Sequence, residues 1–462
     1  MSSKSISSAQ APAGFSYDQA TFAQMVEDVL RRARAMGASD AAAEVSESCG
    51  LSVSVRMGDL ENVERNRDKS LGVAVHLGQR RGHASTSDFS PQALQRTVQA
   101  AYDIARFTAE DPAAALPDEQ DLATPEQARR DLDLFHPWDI TAEAARDLAL
   151  SCEHAALSTS KKITNSDGAA VSAQQSHFFA ANSRGFAGGY CTSRHSVSVA
   201  PIAGRGSGMQ RDYWYSSQRN ARDLAPAQAI GRYAAQRALS RLQARKLPTC
   251  EVPVLFEAPL ASGLMGSLVQ ALSGGSLYRR ASFLLDSLGK RVLPAHVDLE
   301  EDPFIMGARA SAPFDDEGVK VQARQVVAGG KIEGYFLSSY SARKLGMHTT
   351  GNAGGAHNLR WSSRRTRPGD DLPAMLRKLH RGLFVTELMG QGVNGVTGDY
   401  SRGASGFWVE GGEIAYPVQE ITIAGNLLQM FKQLEAIGAD EYDAGGRKTG
   451  SVLIARMKVA GT

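Results

Sequence analysis

Residues 382–429 read GLFVTELMGQGVNGVTGDYSRGASGFWVEGGEIAYPVQEITIAGNLLQ. The stretch opens as an apolar strand over residues 383–389. A glycine-rich run with few large apolar side chains follows, over residues 390–406. Then Phe407-Trp408-Val409-Glu410 and Glu413-Ile414-Ala415-Tyr416 flank Gly411-Gly412. Gly-Gly permits positive φ at both positions of a two-residue hairpin. So much glycine between strands costs conformational entropy on folding. Either another segment approaches that backbone closely or the loop bends sharply, and Gly395 and Gly403 are expected points of close approach.

A chain of 462 residues is too long for one ordinary core, so two domains are expected. Its 42% hydrophobic and 22% charged content is that of a soluble globular protein. A net charge of +2 offers no broad attraction for nucleic acid or an anionic membrane. No apolar run approaches the roughly 20 residues needed to span a bilayer. Cys49, Cys152, Cys191 and Cys250 are scattered, with no CxxC pair, which suits a reducing cytoplasm. Residues 1–16 are Ser/Ala-rich, lack the apolar core of a secretory signal, and read as a disordered leader.

The periodicity of the rest defines the fold class as α+β. Phe22, Met25, Val26, Val29 and Leu30 predict a helix over 17–36. Residues 41–83 alternate with period two and predict a strand meander. Ser90-Pro91 caps a helix to about 108, residues 110–139 form a long connection, and 141–158 are helical. Residues 162–217 return to strands, with turns at Asp167-Gly168, Ser183-Arg184-Gly185 and 204–208. This is an N-terminal α+β domain, residues 17–220, with mostly antiparallel strands.

Residues 221–462 form a β-rich C-terminal domain, a barrel-like antiparallel sheet with peripheral helices. Helices are expected over 223–246, capped by Asp223, and over 258–272, 278–288, 338–345, 370–381 and 426–437. Ser273-Gly274-Gly275 splits the second of these from the third. Strands are expected over 251–256, 297–299, 319–327, 332–337 and 451–459, besides those of the quoted stretch.

Gly390, Gly392 and Gly395 spell GxGxxG after a strand. A dinucleotide site would need a helix next, whose N-terminal N–H groups bind the pyrophosphate. Val396 to Gly403 is a poor helix, so the glycines read as a structural loop. The ten histidines include no HExxH or HExxxH. His348 and His357 bracket a loop, and Asp315-Asp316-Glu317-Gly318 is either a hard-cation cluster or a solvated turn. Arg364-Arg365 and Arg367 make one short basic run, too little for a nucleic-acid surface. Neither Ser207 nor Ser405 lies in GxSxG. On residues alone the chemistry stays open.

Asp315-Asp316-Glu317-Gly318, Gly334-Tyr335 through Ala342-Arg343-Lys344-Leu345-Gly346, Thr350-Gly351-Asn352 and the quoted stretch together resemble the TldD/PmbA peptidases. GDYSRGASGFWVEGGEIAYPVQEITIAGNL is especially similar to the PmbA (TldE) branch, and the resemblance covers nearly the whole chain. In the TldD branch an HExxxH motif and a later Cys bind zinc, with the Glu as general base. That motif follows a strand like 251–256 and opens a helix like 258–272. Here residues 258–270 read APLASGLMGSLVQ, with no histidine or carboxylate, and the quoted stretch has no Cys.

The resemblance therefore implies the zinc-free subunit of a TldD–TldE heterodimer. Zinc and the general base are expected on an HExxxH partner, and neither catalytic residues nor cofactor on this chain. Peptides and small unfolded proteins would be the substrates, in microcin maturation and antitoxin breakdown. Strand edges and glycine loops can pair with an extended peptide through main-chain hydrogen bonds. Gly390, Gly392, Asn394, Gly395, Asp399, Tyr400, Ser401, Arg402 and Gly403 are the expected channel or partner contacts. Two alternatives are a stand-alone hydrolase, with His348, His357 and the acids at 315–317 as its site, and a non-catalytic peptide-binding module.

Overall fold

The computed structural model describes residues 14–461, so most of the expected leader lies outside the described residues. Its last residues, Gly14 to Ser16, are placed: Phe15 is buried, and the Ser16 N–H donates to both Glu47 carboxylate oxygens at 3.0 Å. By internal contacts the chain divides into two interleaved units. One holds the residues through Pro201 with Tyr213–Ala235 and Pro313–Lys320; the other holds Ile202–Asp212, Gln236–Ala312 and Val321–Thr462.

In the first unit the strand Asp40–Arg56 lies between Asp59–Leu77 and Ile163–Asn182, antiparallel to both. Val45 faces Leu71 on one side and Phe179 on the other. Val45, Leu51, Val53 and Val55 are all buried, as the period of two requires when one face is covered. Phe22, Val26 and Val29 of the helix Gln19–Ala35 join Leu94 and Val98 of the helix Pro91–Phe107 in that core. Asp18, Ser90 and Thr141 each accept a backbone N–H at a helix start. Such caps contribute typically about 1 kcal/mol each.

Some expectations fail for identifiable reasons. Asp167-Gly168 is no turn but part of the strand Ile163–Asn182. Gly168 has φ +110°, and a Cβ there would lie 2.7 Å from the Val55 carbonyl oxygen. Glycine in a strand marks close backbone approach as readily as a turn. Asp223 caps no long helix: it ends a short 3-10 turn, Ala221–Asp223, and the helix runs Ala227–Ser240, after Pro226. The helix after 258–271 is split from it as expected, but it starts at once from the N-cap Ser273 as the short helix Gly274–Tyr278, and 279–288 is not helical. Residues 426–437 split into a helix Leu427–Lys432 and a strand Leu434–Ile437. The strands expected at 319–327 and 332–337 shrink to Arg324–Ala328 and Lys331–Ile332, while Asn358–Ser363 is an unanticipated strand.

The second unit contains the barrel. Cys250–Phe256, Gly382–Met389, Asp399–Glu410, Glu413–Asn426 and Val452–Ala460 form a closed ring of strands, because Glu413–Asn426 pairs with Val452–Ala460. Closure removes the free edges that an open sheet would expose. Every pair is antiparallel except Cys250–Phe256 with Gly382–Met389, where Val254 meets Leu383 and Phe256 meets Val385. Val254, Phe256, Val385, Ile423 and Ile454 are fully buried with Leu264, Met265 and Leu268 of the helix Ala258–Ala271. On another face of the same strands, Leu255, Phe384 and Leu453 pack against Met375 and Leu379 of the helix Leu372–Leu379.

The glycine run is shorter than it reads, because the strand Asp399–Glu410 takes up its second half and leaves 390–398 as loop. The Gly411-Gly412 hairpin is present, both residues at positive φ. Close approach falls at other glycines than expected. A Cβ on Gly406 would lie 2.0 Å from the Phe384 carbonyl oxygen, and one on Gly392 1.8 Å from that of Ser401. Gly395 has open space, and a Cβ on Gly403 would make ordinary contact with Met389 at 3.4 Å.

A six-stranded sheet in the same unit carries a buried polar cluster. Glu301, 2% exposed, accepts from the His357 backbone N–H at 2.8 Å, Asn352 Nδ2 at 2.7 Å and Arg324 Nε at 2.7 Å. His357 Nδ1 lies 3.1 Å from the same carboxylate, and Thr350 Oγ1 donates to Asn352 Oδ1 at 2.7 Å. Burial alone would raise the Glu301 carboxyl. The bonds from His357 and the Arg324 charge overcome it and hold the group down at about 2, from 4.5.

Two predictions follow from these placements. Because the folded state depresses Glu301, its contribution is present above pH 4.5 and is lost as pH falls toward 2. That contribution is about 3 kcal/mol. Urea titrations should therefore find Glu301→Gln much less stable at pH 7 than the parent, with the gap narrowing toward pH 2–3; a constant gap would contradict this assignment. Gly406→Ala should cost about 1–3 kcal/mol in the same assay, against under about 0.5 kcal/mol for Gly395→Ala.

Candidate functional site

The parallel strands Cys250–Phe256 and Gly382–Met389 end side by side, and the Glu257 N–H donates to the Val385 carbonyl at 3.0 Å. Glu257 is the N-cap of the helix Ala258–Ala271, the place where the resemblance puts a zinc motif. It is a carboxylate one residue ahead of 258–270. Arg237 meets it fork to fork, Nη1 to Oε1 at 2.6 Å and Nη2 to Oε2 at 3.2 Å. Arg237 Nε lies 3.2 Å from Asp212 Oδ1, and Arg241 Nη1 lies 3.6 Å from Asp212 Oδ2. Arg241 also binds Glu387, beyond a bulge between Val385 and Glu387 in the neighbouring strand. Arg237 lies in the last turn of the helix Ala227–Ser240, and Arg241 is the residue just past its end.

This is a mostly buried set of alternating charges. Burial pushes the Glu257 carboxyl up, against the pull of the Arg237 guanidinium. Burial works equally against the Arg237 charge, but Glu257 and Asp212 hold it above its ordinary range. Arginine does not give up its proton in such a site, so the pair is ionic. Nothing in the 258–270 reading pointed to this set. The available signals were the Glu before a Pro-containing first turn and the Arg237/Arg241 spacing.

A zinc ion does not fit this helix start. Ala258, Ala261, Ser262, Leu264 and Met265 are its buried side chains, none of them an imidazole, thiolate or carboxylate. Glu257 is taken by Arg237. Among the described residues no group of three or more His, Cys, Asp or Glu is placed to hold a metal. His348, His357 and the acids at 315–317, the residues of the alternative site, each have a local setting of their own. His348 is exposed, His357 is tied to Glu301, and Asp315 is buried with Oδ1 accepting the Glu317 and Val319 N–H groups at 2.9 Å. Asp315 Oδ1 thus anchors the turn that follows it.

The expected contact residues lie on one hairpin end of the barrel. Gly390, Gly392, Asn394 and Gly395 lie in the exposed loop. Asn394 organises it: its N–H donates to the Asp399 carbonyl at 2.8 Å, and its Oδ1 accepts from Val396 and Thr397. Asp399 and Ser401 are exposed, Gly403 is half-buried, and these strand residues pair with Asn426, Ala424 and Thr422. Tyr400 is buried and its phenol is pushed up to about 12 by burial. Its Oη and the Arg402 Nε find no hydrogen-bond partner among the described residues. The stretch therefore presents an exposed loop and outward positions at Asp399 and Ser401, while Tyr400 belongs to the core.

Comparison with known proteins covers all of these elements. Residues 249–461 match the PmbA/TldA metallopeptidase C-terminal domain, 135–242 its central domain and 41–105 its domain 1. The chain is 48% identical to Metalloprotease PmbA of Escherichia coli O157:H7, across 92% of this chain and 94% of that one. It is 44% identical to a Metalloprotease PmbA homolog of Haemophilus influenzae, across 95% and 96%. Two solved structures share the fold. One from Bacteroides thetaiotaomicron has a TM-score of 0.89 at 24% identity, over 95% of this chain and 99% of that one. TldE from Thermococcus kodakarensis has 0.81 at 19% identity, over 95% and 100%. The chain belongs to the PmbA/TldD metallopeptidase family, in its PmbA branch.

Proposed function

We propose that this chain is the zinc-free subunit of a heterodimeric metalloprotease whose HExxxH partner supplies the zinc and the general base. The observation that carries this reading is the start of the helix Ala258–Ala271. Apolar side chains and the Ser262 hydroxyl fill its inner face, and the adjoining carboxylate is locked to Arg237. A guanidinium there supplies the positive charge that neutralises the carboxylate, but it has no open coordination position to activate water. The chain's own work is then to bind and orient. The exposed loop 390–398 and the outward positions Asp399 and Ser401 would line the substrate path or meet the partner.

The substrates proposed are peptides and small unfolded proteins, including microcin precursors and antitoxins, met in the cytoplasm. An extended chain presents the same backbone hydrogen-bonding groups whatever its sequence, which suits broad substrate choice. No helix among the described residues is long and apolar enough to cross a membrane.

The test is metal content and peptide cleavage, with the full chain alone and after reconstitution with its HExxxH partner. The chain alone should carry far less than one zinc and leave a reporter peptide intact, and the reconstituted pair should cleave it. Stoichiometric zinc with cleavage by the isolated chain would overturn the proposal. For the ion set, Arg237→Met should destabilise by about 3–5 kcal/mol, since it strands a buried carboxylate. Arg237→Met/Glu257→Leu should recover most of that loss in thermal melts, and added zinc should restore neither protein.

A further inference from the structure

The basic run at 364–367 is left unused by the reading above, and its three arginines part company in the fold. Arg364 forms a two-pronged pair with Asp298, at 2.8 and 2.9 Å. Arg367 contributes its backbone N–H to Asp370 at 2.8 Å. Arg365 is exposed, and its side chain has no ion-pair partner among the described residues. It lines two adjoining cavities of about 300 and 450 Å³, and Glu435 lines both with it. Lys432 lines the second. Glu435 and Lys432 are exposed and likewise without an ion-pair partner among the described residues.

The frame around these charges is built. The strand Leu434–Ile437 pairs with Val452–Ala460 on one side only. Its other side faces the turn after Asn358–Ser363, where Thr366 Oγ1 donates to the Ile437 carbonyl at 2.7 Å. His296, 7% exposed, reaches Ser363 Oγ through Nδ1 at 2.8 Å, and that hydroxyl also accepts the Arg365 N–H at 3.1 Å. The Arg365 backbone is thereby fixed at the rim. Burial, with Arg365 nearby, holds His296 below its ordinary range, so it adds no charge at neutral pH. Lys378, also in the wall, is neutralised by Asp370 at 2.7 Å.

Without an ion-pair partner among the described residues, then, are two cations and one carboxylate, all three lining the cavity of about 450 Å³. A simple anion would satisfy Arg365 and Lys432 but would be repelled by Glu435. A simple cation would meet the reverse. From this arrangement we infer that the cleft is a binding site for a zwitterion, a free amino acid or short peptide. The ligand carboxylate lies on Arg365 and Lys432 and its ammonium on Glu435. Charge-assisted hydrogen bonds of this kind are the strong ones. The cleft's volume of about 450 Å³ falls toward the low end of small-molecule sites, about 300–1,000 Å³, which suits a ligand of dipeptide size. Leu434 and Ala455 offer apolar wall to its side chains. The inference stands without the heterodimer reading, since it uses only this cleft.

The probe is L-alanyl-L-alanine, titrated into the purified full chain by calorimetry or NMR, beside its N-acetylated and C-amidated forms and inorganic phosphate. The dipeptide should bind in about the millimolar range. Blocking either end should weaken binding at least about tenfold, the equivalent of about 1.4 kcal/mol. Arg365→Gln should remove the penalty for amidation, and Glu435→Gln the penalty for acetylation, with thermal melts confirming that both exposed substitutions leave the fold intact. No binding of the dipeptide, or equal binding of the blocked forms, would overturn the inference. So would phosphate binding as tightly as the dipeptide, or affinity unchanged in both variants.

Discussion

The second unit rests on one pairing: Cys250–Phe256 and Gly382–Met389 run parallel in a barrel whose other pairs are antiparallel. Antiparallel neighbours can be joined by two residues, as Gly411-Gly412 joins its strands. Parallel neighbours need a crossover that returns the chain to the starting end. Here the crossover is the whole of residues 257–381, which includes four of the six strands of the second sheet and the core helix Ala258–Ala271. The helix that opens that insertion supplies Leu264, Met265 and Leu268 to the core it shares with the barrel strands.

The same pairing determines where charge collects. Parallel strands end at the same edge, so Glu257 and Glu387 emerge together from separate parts of the sequence. Two carboxylates at one partly buried edge would repel each other and stay unpaired. Arg237 and Arg241, with Asp212 between them, alternate the signs. Breaking one member of such a set costs more than the set contributes to stability, because the remaining charges are left without compensation. A family whose name refers to a metal thus has, in this member, an arginine where cationic charge is needed to balance the helix-start carboxylate.

Much of the fold was legible along the chain. Period-two alternation in 41–83, the Ser90-Pro91 start and the Gly411-Gly412 turn reflect contacts within a few residues, and the folded protein has them as read. The failures share a cause. Gly168 looks like a turn residue, but its partner is the Val55 carbonyl, more than a hundred positions away. Gly395 lies in the motif that drew attention, yet the space beside it is open, while Gly406 is pressed against Phe384.

The sequence by itself determined the α+β class, the main strands and helices, the family resemblance and the lack of any HExxxH, since each is a matter of local pattern or residue identity. Only the tertiary structure decided that Glu257 answers to Arg237, that Tyr400 is core while Asp399 and Ser401 face outward, and that Arg365, Lys432 and Glu435 share a cleft. The physical reason is that a side chain's chemistry is set by what surrounds it. Burial, partner charge and close approach arise between segments far apart in the chain, and local periodicity carries no record of them.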